Sequence, residues 1–288
     1  MARYARGRRI RHPRCPDWGL GEVLEDSDGK TVRAFFVGAG EKKLALEHVQ
    51  PTLVDGHEAE HPLLDSLRES PGLPSKNYRS FRQVRDDFLE TFPQGFYGEK
   101  YLDHERRYKE KACLLATELL NAAECTRLLK AGEHAEICKR ALRLMNATNL
   151  VYPNEKMALK DGLAQKDSTV SFAGSLADLL HGEGDIEEQF ERFVCVLEEL
   201  EAAKWTTATY FMFFVHPTEH MFVKPTITQN AAEVCGFEIS YQPRPNWKTY
   251  SAVLKLAKYL RDELAEQKPR DMVDVQSFMW CVAPGNYS

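Results

Sequence analysis

The chain has 288 residues, 43% hydrophobic and 28% charged, with a formal net charge of −5; this admits a small domain plus a medium one and excludes a disordered tail protein or a general polyanion binder. Its longest apolar run, Tyr210–Val215, is far short of the roughly 20 residues of a membrane-spanning helix, and the basic start lacks the apolar stretch of a signal peptide, so a cytoplasmic location is expected. Seven cysteines at Cys15, Cys113, Cys125, Cys138, Cys195, Cys235 and Cys281 form no C-x-x-C pair, so zinc-ribbon and redox motifs are absent and the thiols read as small hydrophobes in a reducing compartment.

Arg3, Arg6, Arg8, Arg9, Arg11 and Arg14 open the chain with no acid among them. Such a run is either a solvated arm or an electrostatic contact to phosphate or to an acidic protein surface. Short strands follow over Arg9–His12, Gly21–Glu25, Thr31–Phe36, Lys43–Leu46 and Pro51–Val54. Asp28-Gly29 and Gly38-Ala39-Gly40 supply turns in which glycine admits positive φ. A five-stranded meander with one apolar face is expected to curl into a barrel.

The run Arg11-His12-Pro13, Trp18-Gly19-Leu20-Gly21-Glu22-Val23-Leu24 and Gly40-Glu41-Lys42-Lys43-Leu44 resembles the Tudor-like barrel, of Src-homology-3-like type, found at the C-terminus of bacterial repair helicases. It is also similar to the barrel at the start of a helicase-like ATPase of the Snf class that rides on RNA polymerase. The resemblance covers about a sixth of the chain. It implies a docking module for polymerase or nucleic acid and carries no catalytic residue over.

Residues 1–55 are thus expected to form the barrel with its basic arm, residues 56–78 a polar linker, and residues 79–288 a mostly helical α+β domain. In the linker, His57 and His61 stand four apart, but Pro62 and the lack of a third nearby ligand argue against a shared metal. Ser80-Phe81-Arg82-Gln83 is a capping box opening a helix that Pro93 stops. Helices are predicted over Glu99–Leu120, Glu124–Ala131, Glu133–Met145, Glu155–Leu163, Val170–Leu180 and Asp185–Ala203, the last with a stripe of Phe190, Phe193, Val194, Leu197 and Leu200.

At Trp205 the expected period changes. Thr206–Val215 is rich in β-branched and aromatic residues, and with Met221-Phe222-Val223 it reads as a buried hairpin. Thr226-Ile227-Thr228-Gln229 opens a helix ending at Gly236, and Phe237–Tyr241 is a possible third strand. Asn246 caps a helix through Leu260, and Arg270, Asp271 and Asp274 read as cap and surface residues of a final helix carrying Val275, Phe278, Met279 and Val282.

Two motifs resemble metal-dependent chemistry. His216-Pro217-Thr218-Glu219-His220 spells an inverted zincin signature, but Pro217 and the preceding β-type run point to a turn rather than a helix. Glu41-Lys42-Lys43 has the E-x-K spacing of restriction-type nucleases, yet alternation in a strand places both side chains on an exposed edge. No cofactor or metal is expected. Tyr241, Arg244, Asn246, Trp247, Lys248 and Tyr250 interleave rings with cations, a surface for stacking bases or simply a helix start anchored by Trp247.

The candidate nucleic-acid-binding residues are therefore Arg6, Arg8, Arg9, Arg11, Arg244, Trp247 and Lys248. The leading expectation is a non-enzymatic bacterial accessory protein whose barrel docks on nucleic acid or on the transcription and repair machinery, the helical domain holding a second protein partner. The alternatives are a nucleic-acid-processing enzyme in repair or defence, with a site assembled from distant residues, and an oligomeric scaffold. Carboxylates and histidines converging in one cleft would favour the enzyme.

Overall fold

A computed structural model describes residues 3–69, 78–165 and 167–287. The chain divides into two compact units, one of residues Met1–Thr91, Asn230–Glu238 and Val282–Ser288 and one of Phe92–Gln229 and Ile239–Cys281. Among the described residues no helix is long and apolar enough to cross a membrane.

The first unit is built on an antiparallel sheet of β1 (Arg9–Arg11), β2 (Leu20–Val23), β3 (Thr31–Phe36), β4 (Gly40–Ala45) and β5 (Thr52–Val54). Its order is β4-β3-β2-β1-β5, so the meander runs from β1 to β4 and β5 returns to pair with β1. The expected closed barrel is not formed. The sheet stays open, with β4 and β5 at opposite edges and only three residues in each of β1 and β5. Its apolar face, with Ile10, Val23, Val32, Ala34, Phe36 and Leu44, is covered by Tyr4 and Leu46, and Trp18 and Leu53 pack against the same cluster. Loop side chains thus remove the apolar surface from water without ladder closure.

The opposite face carries a cross-strand row in which Arg9 faces Glu22 and Glu22 faces Phe35, with Glu41 beyond it. Tyr78 covers Phe35 edge-on, centroids 4.7 Å apart, and its hydroxyl donates to the Val37 carbonyl. Gly38 is required by close approach, since a Cβ there would strike the Asp17 carbonyl. Of the expected linker, residues 70–77 lie outside the described residues, whereas Pro62–Glu69 forms helix α1 with Leu63 and Leu64 buried. Helix α2 (Phe81–Thr91) follows, and its first turn keeps the reciprocal half of the capping box, Ser80 N–H to Gln83 Oε1 at 3.0 Å.

The second unit is helical. Short α3 (Glu99–Tyr101) continues through a π-helical turn (Leu102–Arg106) into α4 (Arg107–Leu119). Then come α5 (Ala122–Lys130), α6 (His134–Met145), α7 (Pro153–Leu163), α8 (Ser168–His181), α9 (Ile186–Glu199) and α10 (Trp205–Val215). Helices α11 (Pro225–Val234), α12 (Trp247–Glu263) and α13 (Met272–Val282) complete the order. Asn246 caps α12 through its side-chain oxygen, as expected, and Asp185, expected as the first residue of its helix, is the residue that caps α9.

The expected hairpin over Thr206–Val215 is instead α10, and neither Met221–Val223 nor Phe237–Tyr241 is a strand. Every residue from Trp205 to Phe214 is buried. A helix enclosed on all sides has no polar face, so no 3.6-residue period marks it. Burial of its rings overrides the modest β preference of threonine and phenylalanine. Thr207 Oγ1 accepts the Lys204 N–H at 3.0 Å to start the helix, and Pro217 prevents its continuation.

Candidate functional site

The N-terminal arginines separate by what holds each of them. Arg9 is only 1% exposed: its guanidinium is clamped by Glu22, reaches Asp65 of α1 at 2.6 Å, and donates through Nε to the Ala59 carbonyl at 3.1 Å. It pins α1 to the sheet and offers nothing to an external anion. Arg8 lies 3.2 Å from Asp55, and Arg11 3.9 Å from Glu58, both at the surface.

Arg3, Arg6 and Arg14 are exposed, and their guanidiniums meet no carboxylate among the described residues. Arg3 Nη1 donates to Gln50 Oε1 at 3.2 Å and Arg14 Nη2 to the His48 carbonyl at 2.9 Å. Each of these two cations is thus held by a residue of the turn after β4. Glu47, the acid of that turn, is engaged with His48 Nε2 at 3.0 Å. Beside Arg3 lies a 250 Å³ pocket lined by Tyr4, Ser27, Gly29, Leu46 and Gln50, where a hydroxyl, an amide and a guanidinium surround an aromatic wall.

The aromatic and cationic run of α12 is differently disposed. Arg244 lies 2.7 Å from Glu198 and 3.4 Å from Glu191, which hold its pKa up. Trp247 is half-buried against Phe190 and Tyr250, and its backbone N–H donates to Glu191 at 2.7 Å. Only Lys248 of this group is an exposed cation without an acid among the described residues. The run therefore anchors α12 to α9.

The motif residues stay apart from any metal geometry. Glu41 sits on edge strand β4 and pairs with Arg33. His57 is fully exposed beside Glu60, whereas His61 Nδ1 accepts the Leu63 N–H. His216 ends α10, and His220 follows a turn. His181 and His216 donate through Nε2 to the carbonyls of Leu120 and Leu180, both at 2.7 Å. His220 lies nearly parallel to Tyr250, centroids 6.3 Å apart, and burial with His216 nearby pushes its pKa down to about 4. No carboxylate acts on His181 or His220 among the described residues. Among the described residues no group of three His, Cys, Asp or Glu is placed to hold a metal ion.

The acids gather elsewhere, in a cluster that no sequence spacing indicated. Asp274, expected at the surface, is fully buried and accepts from the Tyr101 hydroxyl at 2.7 Å and from Arg270 Nε at 2.9 Å. Arg106, at the end of the π-helical turn, reaches Asp271 at 2.6 Å and Asp274 at 3.4 Å. One layer away, buried Lys109 donates to Ser277 Oγ at 2.8 Å and to Glu105 at 3.1 Å. Burial pushes the Lys109 pKa down, with Glu105 opposing. Arg106 and Lys109, three apart and therefore on one helix face, both reach α13, and Glu105, four before Lys109, holds the ammonium from its own helix. Each charge is answered by another within the cluster, the arrangement that makes buried ions tolerable.

No protein-family model matches the chain, and no curated protein or solved structure matches it.

Proposed function

We propose that this chain is a non-enzymatic accessory protein that docks on nucleic acid through the N-terminal sheet. The observation that carries the reading is that Arg3 and Arg14, neither facing a carboxylate among the described residues, are each hydrogen-bonded to the turn after β4, at Gln50 and at His48, with Arg3 also lining the pocket. Exposed guanidiniums without carboxylates release phosphate counterions on binding, which drives association that salt weakens. His181 and His216 donate to backbone carbonyls and His220 lies against the Tyr250 ring, while Asp274 is engaged by cations and the Tyr101 hydroxyl, partnerships that support a structural role for these groups and hence the binding reading. A docking module of Tudor-like type, and a bacterial transcription or repair setting, are what the sequence resemblance of the N-terminal segment implies.

The test is anisotropy of labelled duplex DNA with the full chain over a range of salt. Replacing Arg3, Arg6 and Arg14 together by Gln should weaken binding and flatten the log–log salt slope by about 0.9 for each phosphate no longer neutralised. Unchanged binding in that variant, or no binding by the wild type at low salt, would make a protein of the transcription or repair machinery the partner instead.

A further inference from the structure

Three side chains distant in sequence meet on the second unit. Tyr152 precedes α7, Lys224 precedes α11, and Trp280 lies near the end of α13. The Lys224 ammonium sits 5.0 Å from the centroid of the Tyr152 ring and 5.1 Å from that of Trp280. One cation therefore bridges two aromatic rings. Tyr152 is 53% exposed, and Lys224 and Trp280 are half-buried.

No carboxylate pairs with Lys224 among the described residues. Glu155, the acid nearest Tyr152 in sequence, is already engaged: it accepts the Tyr152 N–H at 3.1 Å and the Thr206 hydroxyl at 2.9 Å. Met157 and Lys160 are exposed farther along α7. An exposed ring beside an unneutralised ammonium suits a base and its phosphate together.

We propose that Tyr152, Lys224 and Trp280 form a stacking site for single-stranded nucleic acid. In the free protein the ammonium holds the two rings; on binding, a base takes a ring face and Lys224 turns to the flanking phosphate. The exchange is favourable because stacking a base on an aromatic side chain is stronger than a solvent-exposed cation–π contact. Duplex bases are already stacked and offer no such face. An acidic peptide would engage the ammonium and leave the rings unused. The site is independent of the N-terminal arginines.

The experiment titrates the full chain with oligothymidylate, an abasic strand of equal length and a duplex, following anisotropy and tryptophan emission. Oligothymidylate should quench emission, and the abasic strand should bind at least about 5-fold more weakly. Tyr152→Leu should lose about 5-fold or more in affinity with its salt slope intact, Tyr152→Phe should bind as wild type, and Lys224→Gln should flatten the slope by about 0.7. Trp280→Phe should retain affinity and lose the quench. The quench should survive Gln at Arg3, Arg6 and Arg14, which isolates this site from the sheet. Equal binding of the abasic strand, wild-type affinity in Tyr152→Leu, or loss of the quench in the arginine variant would overturn the proposal.

Discussion

Arg9 and Glu22 face each other directly across the β1–β2 ladder, both buried, and the guanidinium continues to Asp65 of α1. A residue in the middle of a basic run is thus a structural ion. Removing one partner of a buried pair leaves an uncompensated charge, which costs on the order of 3–5 kcal/mol. Glu22→Ala should lose stability of that order in urea denaturation. Changing both residues to well-packed aliphatics should restore most of it, and a double-mutant cycle gives the coupling. A loss below about 1 kcal/mol in Glu22→Ala would show the pair to be solvated.

His220 sets an acid limit. Its pKa in the fold is about 4, against an ordinary value of 6.5, so the unfolded chain takes up the proton first. Stability from this group is complete above about pH 6.5, falls as pH drops toward 4, and changes no further below that. The loss is on the order of 3 kcal/mol, and His181, also held down by burial, adds in the same direction. Urea midpoints from about pH 7 to about pH 4 should fall steeply in the wild type and less in His220→Gln. Parallel curves for the two proteins would refute it.

Asp274 joins Tyr101, Arg106 and Arg270. Asp274→Ala should destabilise by about 3–5 kcal/mol, because Arg270 loses its carboxylate and Arg106 keeps only Asp271 and the more distant Glu110. Tyr101→Phe removes one neutral donor and should cost about 1 kcal/mol more than a surface control, and the carboxylate's remaining cations make a larger loss unexpected. Thermal and urea melts measure both, and equal losses in the two variants would contradict the ranking.

Two helical glycines should respond with opposite sign. Gly174 in α8 has nothing within 4 Å of a would-be Cβ, whereas at Gly162 in α7 that atom would lie 2.5 Å from the Leu200 carbonyl. Gly174→Ala should therefore stabilise by up to about 1 kcal/mol, the helix-propensity difference. Gly162→Ala should destabilise, since backbone cannot yield cheaply. A stabilising Gly162→Ala would show that α7 and the end of α9 slide apart freely.

The local elements were legible in the order of residues: the glycine turns placed β2, β3 and β4, the cap Asn246 placed α12, and amphipathic stripes located the helices between residues 81 and 199, α9 among them. Each of these rests on near neighbours, which is what periodicity and capping record. The tertiary structure decided whatever depended on surroundings. Helix α10 has no polar face, so only its enclosure reveals it. Arg9 and Asp274 belong to residue types that usually stay at the surface, and only their partners across the fold explain their burial. The partners that neutralise Arg244, and the meeting of Tyr152, Lys224 and Trp280, are set by elements tens of residues apart, because side-chain chemistry depends on which charges and rings lie within a few ångströms, and chain order does not encode that distance.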